Sequence, residues 1–157
     1  MININELNSS LHRISNDALK NIKMSLVKLG NTYIVFGLYK IKNDNGYKIY
    51  RNSDHIHTVH QLSSALSWCI YDYKNDINSR DQLLDYDRRL SNMYFNVSNL
   101  IHILKGKNLP KEQRDVIDIK LKSDYIKYRE IKDQWQNFIK AAKYIKIQGL
   151  SHGTKKF

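Results

Sequence analysis

Two interlocking apolar columns in the second half of the chain constrain its fold more than any other feature. Leu83, Leu90, Val97 and Leu104 recur every seven residues, with Tyr86, Met93 and Leu100 in the alternate positions. The pattern breaks at Lys105-Gly106-Lys107-Asn108-Leu109-Pro110. It then restarts with Leu121, Tyr128, Trp135 and Ala142 in one column and Ile117, Ile131, Phe138 and Ile145 in the other. Apolar residues at this spacing line one stripe of a helix, so the pattern predicts a long antiparallel helical hairpin. Its arms would run from about Arg80 to Leu104 and from about Lys111 to Ile147, roughly 37 and 55 Å at the helical rise per residue. The longer second arm would overhang its partner with Trp135, Phe138, Ile139 and Tyr144, which need a second surface, either the N-terminal part of the chain or another subunit. Asp87 and Asp124 fall on or beside the seam, where an isolated charge is costly to bury, and predict a partly open seam.

The N-terminal half reads as a small head. Ser15, Asn16 and Asp17 precede Leu19, Ile22, Leu26 and Leu29, whose spacing predicts a short amphipathic helix stopped by Gly30. Thr32 to Lys42 is β-branched and aromatic, Asn43-Asp44-Asn45-Gly46 is a turn cluster, and Tyr47 to Arg51 resumes the strand pattern, which predicts a β-hairpin. By alternation, Tyr33, Val35, Tyr39 and Ile41 share one face and Ile34, Phe36 and Leu38 the other, with Gly37 thinning the first midway. Both faces are apolar, so the strand is expected to be covered on both. His55 to Val59 would add a third strand. Ser63 and Ser64 then open a helix whose stripe is Leu62, Ala65, Leu66, Cys69, Ile70 and Tyr73, and a kink or short loop lies between Tyr73 and Leu83. The fold class is therefore α+β: a small antiparallel β-hairpin or meander flanked by short helices, followed by a long antiparallel helical hairpin. The chain is one domain, with the head at 1–79, the hairpin at 80–148 and a basic tail at 149–157.

Composition limits the function classes. Cys69 is the sole cysteine, so an internal disulfide and a multi-cysteine zinc site are excluded, and its neighbours Leu66, Trp68 and Ile70 point to a buried, inert thiol. The apolar runs are far shorter than the ~20 residues of a membrane span. Met1 to Glu6 lacks the charged start and apolar middle of a secretory signal. A soluble intracellular protein with no membrane partner is the expectation.

Lysine and arginine number 26 against 15 acids, a formal charge of +11. Such an excess suits an anionic partner, although the accompanying wealth of Asn, Ile and Tyr also fits a gene rich in A and T. The excess is greatest in residues 111–157, with twelve basic and six acidic groups. Lys140, Lys143, Lys146, Lys155 and Lys156 follow one another there with no acid between them. They could track a phosphate backbone, or simply complement a helix dipole and solvate a tail. On the strands, Tyr33, Tyr39, Tyr47 and Tyr50 alternate with Lys40, Lys42, Lys48 and Arg51. Rings that stack on bases beside cations that neutralise phosphates make a single-strand binding surface, while tyrosine is equally an ordinary packed strand residue. The candidate nucleic-acid-binding set is thus Tyr39, Lys40, Lys42, Lys48, Tyr50, Arg51, Lys140, Lys143, Lys146, Lys155 and Lys156.

Catalytic signatures are missing: there is no glycine-rich phosphate loop, nucleophile elbow or Cys/His pair. Asp72, Asp76, Asp81, Asp85 and Asp87 alternate with Arg80, Arg88 and Arg89, the mark of a solvated helix face rather than of acid–base chemistry. His55, His57 and His60 would place imidazoles on one strand face, but a fourth ligand is not apparent, so no metal and no cofactor is expected.

The string Ser64-Ala65-Leu66-Ser67-Trp68-Cys69-Ile70-Tyr71-Asp72-Tyr73-Lys74, preceded by Tyr33-Ile34-Val35-Phe36-Gly37, resembles small uncharacterised proteins of T4-like phages infecting marine bacteria. Asp87-Arg88-Arg89-Leu90 follows that group's pattern loosely. The resemblance implies a tailed-phage origin, hence the host cytoplasm or a virion, and brings no particular activity or site residues. The expected function is a non-enzymatic accessory protein that binds nucleic acid. The alternative is a structural or virion-assembly protein that forms homo-oligomers, or meets an assembly partner, through its long helices.

Overall fold

The structure, a computed structural model, describes residues 26–106 and 108–143. Five strands, β1 (Leu26–Leu29), β2 (Thr32–Val35), β3 (Tyr39–Asn43), β4 (Tyr47–Arg51) and β5 (Asp54–Val59), form an antiparallel meander in chain order. Three helices follow, α1 (Leu62–Tyr73), α2 (Ile77–Gly106) and α3 (Lys111–Lys143). No helix among the described residues is long and apolar enough to cross a membrane.

The turns explain why the sheet has more strands than periodicity predicts. Phe36 and Gly37 both adopt positive φ (57° and 67°), and the Leu38 N–H donates to the Val35 carbonyl at 3.1 Å, so the apolar run Thr32–Lys42 folds back on itself as β2 and β3. A tight turn with two left-handed residues matches the twist of the strands it joins. The loop from Val35 to Tyr39 spans an even number of positions, so Tyr33, Val35, Tyr39 and Ile41 still share a face, and all four are buried. Asn52 and Ser53, at φ 53° and 69°, make the equivalent turn between β4 and β5.

The expected helix through Leu26 and Leu29 is a strand instead, and its earlier residues lie outside those described. Gly30, at φ 63°, turns the chain so that Leu26 pairs with Val35 and Leu29 with Thr32. Antiparallel pairing with β2 gives the backbone partners there, and pairing overrides the short three-residue spacing. Nor, among the described residues, is the sheet covered on both faces. Val27 and Leu29 are more than half exposed, and Lys40 and Lys42 point to solvent from the same side.

The inner face of the sheet meets α1, in which every residue from Leu62 to Asp72 is buried. A helix enclosed all round must be covered on more than one side. The sheet supplies one cover, Tyr39 meeting Trp68 edge-on with ring centroids 6.1 Å apart, and the α2–α3 hairpin supplies the other. Neither Ser63 nor Ser64 caps α1. The Asp87 carboxylate of α2 instead accepts the backbone N–H groups of His60 and Gln61, at 2.9 and 3.2 Å, just ahead of it. At the other end Asn75, at φ 59°, closes α1, and the Asp76 side chain accepts the Ser79 N–H to start α2.

Along the hairpin, Leu83, Leu90, Val97, Leu121, Tyr128, Trp135 and Ala142 are buried, and Tyr86, Met93, Leu100, Leu104, Ile131 and Phe138 are packed against them. As described, the arms run 30 and 33 residues, or about 45 and 50 Å, and the expected continuation of the second to Ile147 lies outside the described residues. The seam is also closed where an opening was expected: Asp87 and Asp124 are both buried. Backbone donors satisfy Asp87, and Lys120 reaches Asp124 at 3.5 Å. The end of α3 packs on α1. Trp135 donates from Nε1 to the Ser64 hydroxyl, Phe138 accepts the Tyr71 hydroxyl at its carbonyl, and Ile139 is fully enclosed. Tyr144 lies outside the described residues.

Candidate nucleic-acid interface

Strand pairing sorts the predicted residues onto two faces. With Tyr39, Ile41 and Ile49 turned inward, alternation turns Lys40, Lys42, Lys48 and Tyr50 outward. Cross-strand register then arranges the open face as two rows. One runs Val27, Ile34, Lys40, Tyr50, His55, and the other Leu29, Thr32, Lys42, Lys48, Thr58. Three ammonium groups therefore occupy the centre of the sheet, with rings toward β5 and aliphatic side chains toward β1.

Local contacts hold this surface in shape. Lys42 Nζ lies 5.1 Å from the centroid of the Tyr50 ring, a cation–π distance, and the His55 imidazole lies 5.3 Å from it on the other neighbouring strand. His55 Nε2 is also 2.9 Å from the Thr58 hydroxyl. Lys48 is half-buried and meets Asp44 at 3.3 Å, which offsets part of its charge.

Tyr39 and Arg51 belong to a different site. Tyr39 is enclosed, so it offers no ring to a base, and its hydroxyl donates to Asp72 Oδ2 at 2.5 Å. Arg51 donates to the same oxygen at 2.8 Å, and Arg80 to Oδ1 at 2.8 Å. Asp72 on α1 thus joins β3, β4 and the first turn of α2. It is not part of a solvated face, as its alternation with arginines suggested. Burial alone would raise its carboxyl pKa, but the hydrogen bonds from Tyr39 and Arg80 and the charge of Arg51 outweigh this and hold it below the usual value. Burial and the neighbouring carboxylate push the Tyr39 phenol well up. Arg80 also lies 5.6 Å from the centroid of the Trp68 ring and pairs with Asp81 at 3.1 Å. This cluster was legible in part, since Asp72 is the lone acid in the apolar stretch from Leu62 to Tyr73; its partners come from elements far away in sequence.

The histidines are not brought together. A bulge in β5 sets Tyr50 opposite His55 but Ile49 opposite His57, so the two imidazoles project from opposite faces despite their alternate positions. His57 packs edge-on to Trp68, where burial and the Arg80 charge lower its pKa, and His60 is exposed. Among the described residues no group of His, Cys, Asp and Glu converges to hold a metal ion.

Lys140 is exposed on α3, in the helical layer on the inner side of the sheet, and so does not share the open face. Lys143 is the last described residue of α3, and Lys146, Lys155 and Lys156 lie outside the described residues. Comparisons with protein-family models, with curated proteins and with solved structures found no match for this chain.

Proposed function

We propose that this chain is a non-enzymatic accessory protein, of the phage type its sequence resembles, that binds nucleic acid on the open face of its sheet. The observation that carries the reading is the grouping of Lys40, Lys42 and Lys48 around Tyr50 on a face that no described element covers. Ammonium groups at the centre of a sheet neutralise backbone phosphates without reading sequence. Lys140, exposed on α3, would add a second contact apart from that face, and the basic residues after it carry further charge for the same partner.

A salt titration of binding to single-stranded DNA, duplex DNA and RNA tests this. The logarithm of the affinity should fall linearly with the logarithm of salt concentration. Joint replacement Lys42→Glu and Lys48→Glu should abolish most of the binding, and Lys40→Ala should lower the slope by about one. A chain that binds none of the three at low salt is not a nucleic-acid-binding protein.

A second reading, an assembly protein that pairs through its helices, is favoured by Val116, Ile119 and Ile126. They are spaced three and seven apart along α3 and each is more than half exposed. The Trp135–Ile139 region, by contrast, is occupied by α1 and gives oligomerisation no motive. Under this reading sedimentation shows an oligomer that Ile119→Lys dissociates; a wild-type monomer at high concentration removes it.

A further inference from the structure

We infer that the ligand of the open sheet face is a single strand whose bases stack at Tyr50 and His55 while its phosphates meet Lys40, Lys42 and Lys48. This rests on the nucleic-acid reading above and goes beyond it by naming the ligand's form. The face is a sheet with no protruding helix or loop described on it, so it presents a platform rather than a probe for a groove. A duplex would show such a platform only its phosphates, because its base faces are covered by their neighbours. An unpaired strand can turn its bases onto rings.

The geometry of the two rows suits that division. Tyr50 and His55 stand next to each other at the β4–β5 end of one row, and Lys42 and Lys48 stand next to each other in the second. Successive outward residues on a strand are roughly 6.8 Å apart, so Lys40 beside Tyr50 in the first row and Lys42 and Lys48 in the second all stand within one nucleotide's reach of the rings. In the free protein Lys42 rests against the Tyr50 ring. Transfer of that ammonium to a phosphate uncovers the ring for a base. One contact thus exchanges for two, with no rearrangement of the backbone.

The experiment compares a short oligothymidylate, its duplex with oligoadenylate, and an abasic oligomer of equal length, against the wild type, Tyr50→Ala and Tyr50→Phe. The single strand should bind about tenfold more tightly than the duplex, and Tyr50→Ala should remove about that factor for the single strand alone. The salt slope should not change, Tyr50→Phe should retain binding, and Tyr50→Ala should cost nothing further on the abasic oligomer. If Tyr50→Ala and base removal leave affinity unchanged while Lys42→Glu with Lys48→Glu abolishes it, the inference fails and the nucleic-acid reading survives. If the glutamate pair leaves binding intact, both fail.

Discussion

Trp135 and Ser64 lie 71 positions apart in sequence and are joined by a buried hydrogen bond of 2.8 Å from the indole Nε1 to the hydroxyl. The bond fixes the end of the hairpin to the first turn of α1, the element that also carries the sheet. Trp135 thereby settles where the aromatic end of α3 goes. Replacing Ser64 by Ala strands a buried indole donor, so unfolding by urea should show a loss of about 1–3 kcal/mol. Trp135→Ala should cost more, about 3–5 kcal/mol, through the cavity it leaves.

Asp72 makes stability depend on acid. Its folded pKa is below that of the unfolded chain, so the unfolded state takes up the proton first as pH falls. Its contribution is complete above about pH 4 and is lost as pH drops further. Asp87 acts with the opposite sign: burial raises its pKa, and protonation on descending toward pH 4 favours the folded state. Urea midpoints measured from neutral pH down to strong acid should fall steeply at the acid end for the wild type and less steeply for Asp72→Asn. A parallel pair of curves would remove Asp72 from this account.

Tyr39 and Tyr50 are in adjacent strands and should respond oppositely. Tyr39→Phe removes the hydroxyl that donates to Asp72 and should cost about 1 kcal/mol of stability with nucleic-acid affinity unchanged. Tyr50→Ala should change affinity far more than stability. Calorimetric melting and fluorescence anisotropy on the two variants separate the roles.

Gly46 should not tolerate a side chain. It adopts φ 108° in the β3–β4 turn, and an added Cβ would sit 3.1 Å from a Thr58 methyl and 3.2 Å from the Val59 carbonyl. Gly46→Ala should destabilise by about 1–3 kcal/mol. Gly37→Ala, with open space around it, should suffer only the backbone penalty of its φ of 67°.

Cys69 is fully enclosed, and burial and the nearby Asp72 charge raise its thiol pKa well above the usual value. A thiol reagent should therefore label the protein only at the rate of unfolding, and urea should accelerate labelling in step with loss of structure. Rapid reaction of the native protein would contradict this burial.

The helical hairpin was legible because heptad spacing is local: Leu83, Leu90 and Val97 need only their own helix to fall in line. The face assignment of Tyr33, Val35, Tyr39 and Ile41 also held, since the Val35–Tyr39 loop preserves parity. The β2–β3 turn was not legible, because Phe36 is an unusual residue at positive φ and resembles strand on pattern alone. Of the candidate surface, Lys40, Lys42, Lys48 and Tyr50 do share a face, while Tyr39 and Arg51 face the other way toward Asp72.

By itself, the sequence determined periods, breaks and charge: two long helices, a strand-rich head, a lone buried thiol and a strongly basic balance. Only tertiary structure decided what those elements cover. Periodicity says that a stripe must be buried but not against which partner. The partner of Trp135 is a serine 71 positions away, and Asp72 meets one arginine from β4 and one from α2, groups that periodicity alone does not bring together. Strand alternation turns one side of the sheet to α1 and leaves the lysines on the other.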